Sequence, residues 1–169
     1  MSVHAKVAPA EESSVDEEFF GAYMETLSMV ERLHRLLLDV VKDEFERLGV
    51  IDINSVQALL IFNIGDNEVT AGELKTRGYY QGSNVSYNLK KLVECGYMHH
   101  QKCEVDRRSV RVRLTEKGRE IRTIVAELFQ RHADGIRGRQ VMGDLSLTDI
   151  NSSLRRMERY WSDQIRYIY

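Results

Sequence analysis

Cationic and hydrogen-bonding side chains are concentrated in one part of this 169-residue chain. Between Lys75 and Gly118 there are ten Lys or Arg residues against four Asp or Glu, a net charge of +6. The whole chain carries −2, so the residues outside this segment carry −8. A cationic segment between acidic flanks indicates an anionic partner such as a nucleic-acid backbone, although a solvated surface has the same composition.

The most distinctive part of this segment is a charged turn beside an alternating strand. Val110–Leu114 alternates apolar residues with arginine, which predicts a strand with one buried face and one cationic face. Tyr97–Val105 is the predicted partner strand, so the two form a hairpin with Asp106–Ser109 at its tip. Asp106 can orient an arginine through a charge-assisted hydrogen bond, and Arg111 and Arg113, on one face of the strand, can contact phosphates.

A helix with a polar face precedes this hairpin. Val85, Leu89 and Leu92 recur at helical spacing and predict its buried stripe, with Gly96 as its stop. The other face is predicted to carry Ser83, Asn84, Ser86, Tyr87, Asn88, Lys90 and Lys91. Such side chains can hydrogen-bond base edges in the major groove of DNA, and core packing is the alternative for Tyr87.

The remaining elements are helices that can position this pair. Residues 16–48 predict one long helix, and capping boxes at Asn54 and Thr70 predict the starts of two shorter ones. Thr115 and Ser146 are predicted to start the last two helices. The predicted fold class is therefore mainly α with a small β-hairpin wing: a winged helix-turn-helix plus a helical lobe.

Several function classes are disfavoured by the sequence. No apolar run approaches the ~20 residues of a membrane span, and the N-terminus has no apolar core of a signal peptide. Two cysteines do not make a disulfide framework, which favours a reducing cytoplasm. No catalytic motif and no metal-ligand spacing is present, since the adjacent His99 and His100 would point to opposite faces of a strand. We expect neither an enzyme nor a cofactor.

Three segments resemble the MarR family of winged-helix transcription regulators. They are Asp106-Arg107-Arg108, Leu114-Thr115-Glu116-Lys117-Gly118, and the run from Asn84 to Tyr97. The resemblance implies a homodimer whose terminal helices intertwine, with Arg108 entering the minor groove and Asp106 orienting it. Family members usually act as repressors, and many release DNA when a small, often aromatic, ligand binds. The family often has Arg where this chain has Tyr87, so a different base preference is expected.

These considerations predict a domain organisation and a DNA-binding surface. Residues 1–15 form a disordered tail, residues 16–48 and 119–169 a helical dimerisation lobe, and residues 49–118 the DNA-binding lobe. Double-stranded DNA is the expected partner, as a pseudo-palindrome with half-sites ~34–36 Å apart. The residues predicted to contact it are Ser83, Asn84, Ser86, Tyr87, Asn88, Lys90, Lys91, Asp106, Arg107, Arg108, Ser109 and Arg111.

Regulation and the alternative functions rest on fewer residues. Candidates for contact with a small aromatic effector are His34, Leu37, Leu38, Leu60 and Phe62, although His34 is also compatible with a hydrogen-bonded structural histidine at the dimer or lobe junction. Cys95 and Cys103 flank the step from helix to wing and are either reduced thiols or a redox switch. A cysteine-based redox regulator, a winged-helix protein-interaction module and a thiol redox enzyme remain alternatives.

Overall fold

The computed structural model of the chain describes residues 10–76, 82–102 and 110–168, which form two compact units that divide after Val125. The elements, in chain order, are α1 (Ala10–Leu48), α2 (Ser55–Ile64), β1 (Val69–Thr70), α3 (Ala71–Thr76), α4 (Gly82–Glu94), β2 (Met98–Lys102), β3 (Val110–Leu114), α5 (Glu116–Gly138) and α6 (Leu147–Ile168).

The fold is mainly helical with a small antiparallel sheet, as the sequence predicts. Its strand order is β1-β3-β2, and the predicted hairpin is the β2–β3 pair, in which His99 lies opposite Arg113. β1 was not predicted, because two residues are too few to show a period-2 pattern. It adds Thr70 opposite Arg111 on the other side of β3.

The predicted helix signals are present at their predicted places. The Gln57 backbone N–H donates to Asn54 Oδ1 at 2.9 Å, and the Asn54 N–H donates to Gln57 Oε1 at 3.1 Å, which completes the capping box of α2. At α3 the Glu73 N–H donates to Thr70 Oγ1 at 3.1 Å. Gly96 has φ +78° and ends α4, a conformation that an L side chain rarely adopts.

The first unit is built on a core beneath the sheet and helices α2 to α4. Its fully buried large side chains are Val41, Leu60, Ile61, Ile64, Val69, Leu74, Val85, Leu92, Tyr97, Met98 and Val125. Val112 and Leu114 are also buried, so β3 has the apolar inner face that its alternation predicts. The sheet thereby covers the helices on one side and leaves its arginines on the other.

Helix α1 differs from its prediction in two ways. It begins at Ala10 rather than Asp16, so it includes residues assigned to the tail, whereas residues 1–9 lie outside the described ranges. Its apolar stripe is only partly buried: Val41 and Phe45 join the core, but Phe20 is 62% exposed and Met24 48%. Periodicity identified the stripe but not which part of it the same chain covers.

The second unit contains the end of α5 and the amphipathic helix α6. Ser146 precedes α6, and its Oγ accepts from the Thr148 N–H at 3.1 Å. Along α6, large apolar side chains including Leu147, Tyr160 and Trp161 are exposed. Among the helices that the structure describes, none is long and apolar enough to cross a membrane.

Candidate nucleic-acid interface

Helix α4 presents a polar and cationic surface opposite its buried stripe. Val85, Leu89 and Leu92 are buried as predicted. Tyr87 lies roughly 160° around the helix from Val85 and is 61% exposed, which excludes the core-packing interpretation of its ring. Asn84, Ser86 and Lys90 are also exposed, and Ser83 is the second residue of the helix. This face is free to approach a groove of DNA.

Asn88 does not lie on this face, which corrects its assignment to the DNA-contacting set. Its side chain is buried and its Oδ1 accepts a hydrogen bond from Gln57 Nε2 at 3.3 Å. Gln57 itself is buried, and its Oε1 is taken by the capping box of α2. Position 88 is about 60° from Val85 around the helix, at the edge of the stripe, where α2 covers it. Asn88 therefore fixes α4 against α2.

Because Asn88 is buried and Asn84 is exposed, alanine substitutions at the two positions should have different effects. Replacing Asn88 by alanine should lower the free energy of unfolding by about 1–3 kcal/mol, because the buried Gln57 amide loses its acceptor. Replacing Asn84 by alanine should change it by less than about 0.5 kcal/mol but weaken DNA binding. Urea unfolding measures the stability of both variants, and duplex titration measures their DNA affinity. If Asn88→Ala weakened DNA binding without a loss of stability, Asn88 would be a DNA contact after all.

The C-terminal turn of α4 carries two lysines that share one carboxylate. Lys91 Nζ lies 2.9 Å from Glu94 Oε2, and Lys90 Nζ lies 3.8 Å from Glu94 Oε1. The hydrogen bond from Lys91 lowers the pKa of Glu94, and the same bond raises the pKa of Lys91. One negative charge against two positive ones leaves a net cation at this exposed turn, which a phosphate can contact.

The sheet adds two arginines and the connection to the wing. Arg111 and Arg113 are exposed on the outer face of β3, while Val112 and Leu114 between and after them are buried. Both arginines thus lie on the outer face that the alternating pattern predicts, and their contact with phosphates stays a prediction. The wing-tip residues Asp106, Arg107, Arg108 and Ser109 lie outside the described residues, as does Cys103.

Asp52, Tyr97 and Lys117 form a cluster that the sequence analysis missed. Tyr97 Oη donates to Asp52 Oδ1 at 2.5 Å, and Lys117 Nζ donates to Asp52 Oδ2 at 2.8 Å. The Lys117 ammonium also donates to the Cys95 carbonyl at 3.1 Å and lies 4.0 Å from the centroid of the Tyr97 ring. The cluster was invisible to sequence reasoning because Asp52 and Lys117 are 65 positions apart.

The environment of the cluster changes the acidity of all three groups. Hydrogen bonds from Lys117 and then Tyr97 lower the pKa of Asp52. Burial, and then the hydrogen bond to Asp52, raises the pKa of Tyr97 to about 12. The hydrogen bond to Asp52 raises the pKa of Lys117. Each shift favours the ionic and hydrogen-bonded arrangement at neutral pH.

The raised pKa of Tyr97 predicts a stability change at alkaline pH. The unfolded chain loses the tyrosine proton near pH 10 and the folded chain near pH 12, so the contribution of Tyr97 is complete below pH 10 and is lost as pH rises towards 12. The free-energy difference between the parent and Tyr97→Phe should therefore shrink from pH 9 to pH 11 in urea titrations. A difference that stays constant over this interval would contradict the raised pKa of Tyr97.

The motif from Leu114 to Gly118 joins the end of α4 to the start of α5. Thr115 Oγ1 donates to the Gly96 carbonyl at 2.7 Å, and the Thr115 N–H donates to the Tyr97 carbonyl at 3.0 Å. The Gly118 N–H donates back to Thr115 Oγ1 at 3.1 Å, so Thr115 also caps α5 as predicted. A second ion pair, from Arg122 to Asp66 at 2.7 Å, holds α5 to the turn after α2.

The residues proposed for regulation do not all share one surface. His34 and Leu37 are exposed on α1, and Leu38 and Phe62 are partly exposed. Leu60 is 1% exposed and lies in the hydrophobic core, which separates it from the exposed candidates on α1. Cys95 is a partly exposed free thiol in the turn after α4. Among the described residues there is no group of three His, Cys, Asp or Glu side chains able to hold a metal ion.

Similar proteins identify this arrangement. Residues 53–118 match the family model of a winged helix DNA-binding domain. Over 148 residues the chain is 36% identical to ExpG, the exopolysaccharide II synthesis transcriptional activator of Rhizobium meliloti, and the match covers 86% of this chain and 74% of that protein.

Two solved structures of transcription regulators have folds similar to that of this chain. A MarR family transcriptional regulator from Listeria monocytogenes, complexed with a 26mer DNA, has a TM-score of 0.68 at 15% identity and covers 84% of this chain and 92% of its own. FabT of Streptococcus pneumoniae, in complex with DNA, has a TM-score of 0.60 at 22% identity, with coverages of 84% and 99%.

The relative and the structures are regulators rather than enzymes, and the region that matches the family model contains α4, the β2–β3 hairpin, Tyr97 and Lys117. The chain belongs to the MarR family of winged-helix, DNA-binding transcription regulators.

Proposed function

We propose that this protein binds a pseudo-palindromic DNA operator as a homodimer and thereby regulates transcription in the cytoplasm. In this proposal α4 is the recognition helix, whose Asn84, Ser86 and Tyr87 contact base edges. Lys90, Lys91 and Arg111 contact phosphates, and Arg108 enters the minor groove. The observation that carries the proposal is the exposed, acid-poor face of α4, with Tyr87 61% exposed and Lys90 also exposed.

Uncovered apolar side chains support the homodimer. On α1, Phe19 is 74% and Leu33 57% exposed, and on α6 Tyr160 is 62% and Ile165 61% exposed. Soluble monomers rarely leave extended apolar faces in water, and a second copy is the partner that a symmetric regulator of a palindrome needs. We propose that residues 10–48 and 119–169 form the dimerisation lobe, and residues 49–118 the DNA-binding lobe.

The direction of regulation is proposed from the relative rather than from the fold. The family resemblance implies repression, whereas the Rhizobium meliloti relative is named an activator. At 36% identity we favour activation of target promoters. A reporter driven by the selected operator in its own promoter context, with and without the protein, measures the sign; lower expression in the presence of the protein would restore the repressor interpretation.

Selection of bound duplexes from a random pool tests DNA recognition. The expected result is an enriched sequence with two inverted half-sites, bound by a species of twice the 19.6 kDa chain mass in light scattering. Equal binding to the enriched duplex and to a scrambled one would reject sequence-specific recognition. A monomer that binds the operator would reject the homodimer while leaving recognition in place.

Regulation by a small aromatic ligand remains part of the proposal through the family resemblance. The exposed His34 and Leu37 of α1 are its proposed contacts, together with Leu38 and Phe62. Thermal denaturation with a panel of small aromatic acids should raise the melting temperature for a true effector, in the parent but not in His34→Ala. Equal stabilisation of both proteins would exclude His34 as a contact.

A further inference from the structure

We propose that Asp52, Tyr97 and Lys117 are positioning residues that hold recognition helix α4 at the angle at which its side chains meet base edges. This inference rests on the proposed sequence-specific binding and adds to it the internal contact on which specificity depends. We call the three residues the α4 latch. None of them lies on the exposed face of α4.

The α4 latch connects three elements that are far apart in the chain. Asp52 lies in the connection between α1 and α2, Tyr97 follows the C-terminal end of α4, and Lys117 lies in the first turn of α5. The two carboxylate oxygens of Asp52 accept from different elements, Oδ1 from Tyr97 and Oδ2 from Lys117. A single carboxylate thus fixes the distance between the end of α4 and the start of α5.

The contacts restrain α4 in orientation as well as in place. The Tyr97 side chain is 2% exposed, so its ring is clamped by the core while its hydroxyl is held by Asp52. Lys117 donates to the Cys95 carbonyl in the turn after α4, where a cation also complements the negative end of the helix dipole. The Tyr97 ring, the Tyr97 hydroxyl and the Cys95 carbonyl thus restrain the C-terminal end of α4 at three separate points.

A small tilt at this end becomes a large displacement at the bases. Asn84 lies eleven residues before Cys95, roughly 16 Å along the helix axis. A tilt of about 5° about the latch would move it by about 1.4 Å, more than a base-specific hydrogen bond tolerates. The ion pair itself is half exposed, with Lys117 at 47% and Asp52 at 46%, so little stability is expected from it. The proposed effect of the ion pair is therefore on the orientation of α4 rather than on the free energy of unfolding.

Asp52→Asn distinguishes a positioning role from a purely electrostatic effect, because the two predict opposite changes in affinity for the operator. The substitution removes a negative charge, so electrostatics alone would leave DNA affinity equal or higher. Positioning predicts about tenfold weaker binding to the selected operator with unchanged affinity for scrambled duplex. Tyr97→Phe, which keeps the buried ring, should also lower the ratio of operator to scrambled affinity.

The Arg122–Asp66 ion pair supplies a matched control. It also holds α5 to a segment flanking α2, at 2.7 Å and with partly exposed side chains, but it joins α5 to the turn after α2 rather than to the turn after α4. Arg122→Met should therefore leave the affinity ratio within about twofold of the parent, whereas Lys117→Met lowers it about tenfold. Lys117→Arg, which can still donate to Asp52, should restore most of the ratio.

The measurements are fluorescence titrations of both duplexes at several salt concentrations, well below each melting temperature and corrected for the active fraction. The salt dependence should stay the same in Asp52→Asn, because no phosphate contact is removed. If Asp52→Asn and Tyr97→Phe both keep the parent's affinity ratio, the positioning role is wrong. If the parent itself shows no preference for the operator, the proposed function fails and the inference fails with it.

Discussion

Gly118→Ala is expected to lower the free energy of unfolding by about 3 kcal/mol, at the upper end of what overpacking costs. A Cβ at this position would lie 2.2 Å from the Tyr97 carbonyl oxygen and 3.3 Å from Leu114 Cβ. The carbonyl cannot move away freely, because it accepts the Thr115 N–H and belongs to the residue whose ring is buried. Urea unfolding measures the change.

Gly135→Ala is the matched control on the same helix. No atom lies within 4 Å of a Cβ built at Gly135, so alanine there should stabilise α5 by about 0.5–1 kcal/mol. Opposite signs for the two substitutions would establish close approach as the reason for glycine in the Leu114–Gly118 motif. A loss at Gly118 no larger than about 0.5 kcal/mol would show that α5 can shift away from the Tyr97 turn.

The second large expected effect concerns the wing. Replacing Arg108 by alanine should weaken binding to the selected operator by about 10- to 100-fold, corresponding to ~1–3 kcal/mol, because the family resemblance places this guanidinium in the minor groove. Replacing Arg111 should weaken binding to all duplexes alike and reduce the slope of log affinity against log salt by about one, as expected of a phosphate contact. Titrations of operator and scrambled duplexes at several salt concentrations distinguish the two.

Arg155→Ala is the control for the loss of one positive charge. Arg155 is exposed on α6, outside the proposed DNA-binding lobe, so the substitution should change neither affinity nor salt slope beyond a small long-range effect. If Arg108→Ala lost no more affinity than Arg155→Ala, the wing-tip arginine would contribute only its charge to the overall electrostatic field of the protein. The contrast between positions 108 and 111 would then disappear as well.

The latch and the Leu114–Gly118 motif have a common physical consequence. Three residues contact the turn that follows α4: Thr115 and Lys117 donate hydrogen bonds to its carbonyls, and Gly118 approaches it closely. These contacts hold the C-terminal end of α4, while Val85 and Asn88 hold the earlier part of the helix against the core and α2.

Local features of the fold were predictable from the sequence. Capping boxes at Asn54 and Thr70, the glycine stop at Gly96 and the alternation in β3 each involve residues a few positions apart, whose interactions depend on local backbone geometry. The charge contrast and the wing motif likewise indicated a DNA-binding regulator, because chemistry that recognises an anionic polymer is visible in composition.

Only the tertiary structure decided which side chains meet. The helical period leaves Asn88 at the edge of the stripe, and packing against Gln57 of α2 turned it inward. Leu60 became core because its helix is covered on all sides, and Asp52 met Lys117 across 65 positions. Periodicity describes one element at a time, whereas these contacts depend on the relative placement of several, which non-local packing determines.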